Sequence, residues 1–167
     1  HSASLARTMG REALWAAVLD GSLGMLSTDH CPYSLADKRG TTYQTVPCGV
    51  DGVQVRMMYA FSEGVCRRGL TMDRFVDLTS ARAARFYGMW PRKGALLAGS
   101  DADVVLVSPE GETVCGMDAC ASALDYSVWE GRVLSGRIER VFKGGREVVG
   151  EDGSVRAERG SGRFLRR

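Results

Sequence analysis

Apolar residues recur along this chain with two periods, and the change between them falls near Pro91. Before Pro91 the spacing is helical. Residues Gly10 to Asp20 put Ala13, Leu14, Ala17 and Val18 on one face, and Gly21 is a suitable stop. From Val53 to Gly64 the apolar positions are Val53, Met57, Ala60 and Phe61, a second one-sided helix in which Met57 and Met58 read as core filler rather than ligands. Thr71 is placed to cap a helix through Leu78, with Phe75 and Leu78 inward. Ser80 is placed to cap the next helix, Ala81 to Tyr87, which Gly88 ends and Pro91 keeps from resuming. Beyond Pro91 the runs are short and bounded by turn residues. They predict strands at Leu96-Leu97, Val104 to Val107, Gly131 to Leu134, Ile138 to Phe142 and Arg146 to Val149, with Gly144-Gly145 as a hairpin turn. Ser2 to Thr8 reads as irregular, and no internal repeat is present.

One stretch organises the chain. Leu23 to Leu26, broken by Gly24, reads as a buried strand running into Ser27-Thr28-Asp29-His30-Cys31-Pro32, where Pro32 breaks regular structure. The loop then extends to Gly52 with no regular element predicted, and loops of that length in compact domains are functional or disordered. In barrels of alternating strands and helices, the carboxyl ends of strands carry the chemistry. Asp29 is therefore a candidate metal ligand or proton acceptor; the competing reading is an aspartate capping the following turn.

Composition narrows the class. The chain has 167 residues, 44% hydrophobic and 25% charged, enough for a core of ordinary size in one domain or pieces of two. A net charge of +2 gives no reason to expect nucleic acid as partner. No apolar run is long enough for a membrane span, and His1 opens no secretion signal. Five cysteines (Cys31, Cys48, Cys66, Cys115 and Cys120) without a paired CxxC spacing predict reduced thiols and a cytoplasmic setting. The end, from Ser154 to Arg167, sets Arg156, Arg159, Arg163, Arg166 and Arg167 against Glu158, which predicts a solvated tail.

Several stretches together resemble the cyclic amidohydrolases of the dihydropyrimidinase and D-hydantoinase type. They are Arg11-Glu12-Ala13-Leu14-Trp15, Ser27 to Tyr33, Gly52-Val53 with Arg56-Met57, and Phe75-Val76-Asp77-Leu78-Thr79-Ser80. Tyr87-Gly88, Pro91-Arg92-Lys93-Gly94, Gly99-Ser100-Asp101-Ala102-Asp103, Asp125-Tyr126, Glu130-Gly131 and Gly160-Ser161-Gly162-Arg163-Phe164 continue it in order. The Gly-Ser-Asp-Ala-Asp run is general to the wider superfamily. The Thr-Asp-His-Cys-Pro-Tyr run and the Gly-Ser-Gly-Arg-Phe ending narrow it to the dihydropyrimidinase branch.

The resemblance implies an α/β fold: the C-terminal part of a metal-dependent (β/α)8 barrel in residues 1–90, strands of a small β-sandwich in 91–150, and a basic tail in 151–167. It implies a zinc-dependent hydrolase of pyrimidine catabolism that opens the ring amide of dihydropyrimidines or hydantoins, a small cyclic amide being its substrate and a homotetramer its assembly. In such enzymes two zinc ions share a bridging hydroxide and a carboxylated lysine. Asp29 matches the aspartate that binds one metal and moves the proton to the leaving nitrogen. Ser2 and Cys48 fall at the positions that hold the substrate ring through main-chain groups, Cys48 standing where the family has asparagine. The family's metal site needs several histidines, including a His-x-His pair, whereas this chain has only His1 and His30. A full barrel takes roughly 250 residues. The chain is therefore expected to be a fragment, inactive alone, with most zinc ligands elsewhere. Two alternatives stand beside this: a non-catalytic scaffold relative, and a sister hydrolase of the allantoinase or dihydroorotase type.

Overall fold

In the computed structural model residues 2–40 and 42–166 are described, with side chains from Gly10 onward. The first helix, α1 (Ser2–Leu19), bends at Gly10, whose φ of 68° only glycine adopts readily. Ser2 to Thr8, expected to be irregular, is thus helical in its backbone. After the bend Trp15 and Val18 are buried, and Ala13, Leu14 and Ala17 are half-buried, as the periodicity predicts.

Leu23 to Leu26, expected to be a buried strand, forms no strand and is only half-buried, with Met25 exposed. Its backbone groups are taken by helices instead: Leu26 N–H donates to Leu78 O (3.1 Å), Arg56 to Leu26 O (2.8 Å) and Arg74 to Leu23 O (2.5 Å). The loop that follows contains one turn of helix, α2 (Leu35–Lys38), a correction to the expectation of none.

The second long helix begins as α3 (Arg56–Tyr59) and continues as a π-helix, Ala60–Cys66. The third is one unbroken rod: α4 (Met72–Val76), a π-helical turn (Asp77–Ala81) and α5 (Arg82–Phe86). Thr71 caps it as expected, its hydroxyl accepting from Arg74 N–H (3.2 Å). Ser80 caps nothing, because the helix runs through it. The wide turn there frees the carbonyls of Leu78 and Thr79 for Leu26 N–H and Arg56.

Beyond Pro91 lies a three-stranded antiparallel sheet in the order β1 (Val104–Val114), β2 (Val133–Lys143), β3 (Arg146–Val149). The Gly144-Gly145 turn joins β2 to β3, with φ of 57° and 78°. Leu96-Leu97 is exposed and not a strand, and the two strands expected over 131–142 are one, kinked at register shifts. The described residues contain neither a parallel strand nor a second sheet, so barrel and sandwich are present at most as pieces. The tail after Glu151 is mostly exposed, although Val155 bridges Val149 and Arg156 is paired with Glu147.

Helices and sheet share one core. Trp15, Met58, Phe61, Phe75 and Leu78 pack with Cys115 and Leu134 from the sheet half. The join is close at β2, where Ser62 Oγ accepts from Ser135 N–H (2.9 Å). Gly136, with φ 82°, lies against Phe61, and a Cβ there would meet Phe61 Cε1 and Ser108 O at 2.8 Å each. Gly136→Ala should therefore lower stability by about 1–3 kcal/mol, read as a drop in urea midpoint at unchanged slope.

Lys93 ties the segment after Pro91 to the hairpin. Its ammonium pairs with Asp101 (2.9 Å) and Asp103, and Asp103 also accepts from Gly144 N–H (2.8 Å). The hydrogen bond from Lys93 holds Asp101 below its ordinary pKa. Burial alone would raise Asp103, but Lys93 and Gly144 N–H bring it below the usual value as well. Both carboxylates bind protons more weakly folded than unfolded. They add stability above the unfolded value, near pH 4, and lose it as pH falls through the folded values. Lys93→Met should flatten the loss of stability below about pH 4, measured as urea midpoint against pH.

Candidate functional site

The candidate site is the loop from Ser27 to Val53, folded back on itself. Thr28 Oγ1 accepts from His30 N–H (3.3 Å), a local turn that sets Asp29 at φ 47°. Asp29 is the sole non-glycine residue with positive φ among the described residues. Aspartate tolerates that region better than most residues, yet holding it there still opposes folding. The Asp29 side chain is exposed, and its carboxylate takes no hydrogen bond or ion pair among the described residues. Asp29 does not cap the helical turn that follows it. The cap of α2 is Ser34, whose Oγ accepts from Asp37 N–H while the Asp37 carboxylate accepts from Ser34 N–H (both 3.2 Å).

Backbone groups zip the two arms of the loop. Cys31 N–H donates to Val50 O (3.2 Å). His30 Nδ1 accepts from the N–H groups of Gly52 (3.1 Å) and Val53 (3.3 Å). Accepting twice, Nδ1 carries no proton, so the neutral ring carries it on Nε2. Gly49, at φ 129°, packs so tightly that a Cβ would lie 2.2 Å from Cys31 O. From α2, Lys38 Nζ donates to the carbonyls of Pro47 and Gly49 (2.5 Å each) and lies 5.2 Å from the Tyr33 ring centre.

This clasp determines where Cys48 sits. The carbonyls of Pro47 and Gly49 are both held by Lys38, while Cys48 itself is exposed with its N–H and C=O free among the described residues. Within the first arm, the Cys31 thiol donates to the Tyr33 hydroxyl (3.9 Å). That hydrogen bond leads the effects pushing the Tyr33 phenol above its ordinary pKa, with Cys48 and Asp37 adding to it. No two of the five cysteines are joined in a disulfide.

The loop is anchored in turn to the sheet half. Asp51 is buried; its carboxylate accepts from Ser127 Oγ (2.6 Å) and Val128 N–H (3.3 Å), and its carbonyl accepts from Trp129 Nε1 (3.1 Å). Gln54 donates to Ala119 O (2.6 Å) and accepts from Ala121 N–H (2.9 Å), and Asp125 accepts from Leu35 N–H (2.9 Å).

Asp29 and Cys48 are thus carried on two arms clasped together. Ser2 lies in the backbone of α1, but its side chain is outside the described residues. His30, Lys38 and Asp51 are the positioning residues that sequence reasoning missed; the Pro47-Cys48-Gly49 and Asp51-Gly52 turns were the available signals. Toward a metal the donors do not suffice. Among the described residues no three of His, Cys, Asp and Glu converge on a point, and His30 Nδ1 is turned onto peptide N–H groups. The arrangement offers one free carboxylate for proton transfer and one free peptide unit for hydrogen bonding.

Gly49→Ala should part the arms. Amide exchange at Cys31, Gly52 and Val53 should rise about tenfold, the loss of roughly 1.4 kcal/mol of local protection, measured by hydrogen exchange with mass spectrometry. Unchanged protection would show that the clasp is not set by this contact.

Comparison with known proteins places the chain. The profile of the amidohydrolase family matches residues 2–148. D-phenylhydantoinase of Escherichia coli O1:K1 / APEC is 39% identical over 160 residues, which are 94% of this chain and 34% of that enzyme. Among solved structures, the D-hydantoinase (dihydropyrimidinase) of Thermus sp. superposes with a TM-score of 0.90 at 33% identity, over 94% of this chain and 34% of its own. The L-hydantoinase (dihydropyrimidinase) of Arthrobacter aurescens superposes with a TM-score of 0.87 at 26% identity, over 93% of this chain and 35% of its own. The chain spans about a third of the length of the relatives it matches.

Proposed function

The chain belongs to the amidohydrolase family, and from that premise we propose that it is the carboxyl-terminal third of a cyclic amidase that hydrolyses the ring C–N bond of hydantoins or dihydropyrimidines. The observation that carries the reading is Asp29. It is an unpartnered, exposed carboxylate in the left-handed region, on a clasped loop, in a chain similar over most of its length to D-phenylhydantoinase. Strain held at one polar residue by a rigid surround is the pattern expected where chemistry happens.

In this reading Asp29 accepts the proton of the attacking water and returns it to the departing ring nitrogen. The peptide unit of Cys48, steadied by Lys38 through the carbonyls on either side, hydrogen-bonds the amide edge of the ring, and Ser2 supplies a second main-chain contact. Cysteine in place of asparagine is tolerated because only the peptide is used. Asp29 would also be a donor toward a zinc pair, and among the described residues no cluster of three donors completes such a site. The remaining ligands, the other barrel strands and the rest of the sandwich belong to the missing two-thirds, and the complete enzyme is a cytoplasmic homotetramer. A scaffold relative has no use for a free carboxylate held at positive φ, which is why the hydrolase reading is preferred.

The test joins this chain to the first two-thirds of the E. coli D-phenylhydantoinase. The chimera should hydrolyse hydantoin or dihydrouracil, and Asp29→Asn should reduce turnover by about 10²–10⁴-fold. The 167-residue chain alone should turn over neither substrate. A folded chimera without activity, or near-normal activity in the Asp29→Asn chimera, would overturn the proposal.

A further inference from the structure

Behind the clasped loop, between the helical half and the sheet, lies a cavity of about 330 Å³. That is within the range of small-molecule sites, roughly 300–1,000 Å³, and such sites favour junctions of this kind. Val55, Met58, Cys115 and Leu134 give it apolar walls, with His30 and Gln54 among its polar lining. It is distinct from the Asp29 and Cys48 surface, neither residue being part of its wall.

The polar lining defines what fits. Gln54 is engaged at both ends, by Ala119 O and Ala121 N–H. Asp51 is satisfied by Ser127 and Val128, and Ser122 Oγ accepts from Leu124 N–H. Among the described residues no lysine or arginine lines the space, so an anion would lack a partner there, and a cation would meet only the already satisfied Asp51. The His30 ring retains one polar atom with no partner among the described residues, Nε2, which as reasoned above is an N–H donor. A cavity of about 150 Å³ lined by apolar residues takes benzene, so this one has room for a substituted ring.

We propose that the cavity binds a small neutral aromatic molecule carrying one hydrogen-bond acceptor, which the Nε2–H of His30 engages. Its occupant would lie against Gly52 and Val53, the residues that hold His30, and so brace the loop from behind. The cysteines make the test readable on the chain itself, with no turnover required. Cys120 lines the cavity, Cys31 and Cys48 lie on the clasped loop, and Cys66 closes the π-helical part of the second long helix and belongs to neither.

Acetophenone is the probe, with site-resolved alkylation by iodoacetamide as the readout. At ten times its Kd, alkylation of Cys120 should slow about tenfold, since about one molecule in eleven then remains empty. Cys66 should react at an unchanged rate, and amide exchange at Gly52 and Val53 should slow. Ala121→Phe, which fills the cavity from its rim, should abolish the protection while leaving the alkylation of Cys66 as in the parent. Benzoate and benzylammonium, of similar size but charged, should protect at least about tenfold more weakly. Unslowed alkylation of Cys120 up to the solubility limit, equal protection by benzoate, or protection of Cys31 and Cys48 in place of Cys120 would each overturn the proposal. Because the readout is binding, it fails or succeeds separately from the hydrolase reading.

Discussion

A buried carboxylate must be met by donors, and Asp51 meets its donors across the junction between the two halves of the chain. Ser127 and Val128 approach its side chain and Trp129 its carbonyl, while the next two residues present their N–H groups to His30. One short stretch, 51–53, thereby connects the sheet half to the loop that carries Asp29. Removing the donors would leave a charge in a place with little water, which is far more unfavourable than losing an exposed ion pair. The arrangement of the candidate site depends on that connection.

The same logic explains the helices. Arg56 and Arg74 reach from the helices to the carbonyls of Leu26 and Leu23, and the π-helical turn at Asp77–Ala81 releases carbonyls that an α-helix would have engaged. Asp77 in turn holds Arg74 (2.9 Å) and Arg82 (2.7 Å). The segment Leu23 to Leu26 is thus bound by guanidinium groups and two helix carbonyls, those of Ala17 and Leu78, where a strand would use its neighbours' peptides.

Local signals in the sequence were read well where the physics is local. The Thr71 cap, the Gly144-Gly145 hairpin and the buried face of α1 all follow from a few adjacent residues, and the structure agrees. Leu23 to Leu26 misled because a strand is a relation between chain segments: the apolar run predicted burial, but pairing depends on partners that lie far away in sequence. Ser80 misled for a related reason, since a cap residue inside a favourable helix is overridden by packing at Leu78 and Ala81. At the candidate site Asp29 was legible from its setting of proline and polar neighbours. His30, Lys38 and Asp51 were not, because each acts on backbone groups from 9 to 77 positions distant.

The outer strand of the sheet has a further consequence. Among the described residues β1 is paired on one side only, and the open peptide groups along its free edge invite another polypeptide to add itself by lateral growth. Pro109 removes one donor from the middle of that edge, and Glu110 and Glu112 flank it with charge where the ladder with β2 is already irregular. What stays in regular register is the short apolar stretch at its beginning, Val104 to Leu106. Fibril-like stacking is thus discouraged by three residues of the fold itself, and the remaining regular end is the part of the edge still open to a neighbouring chain.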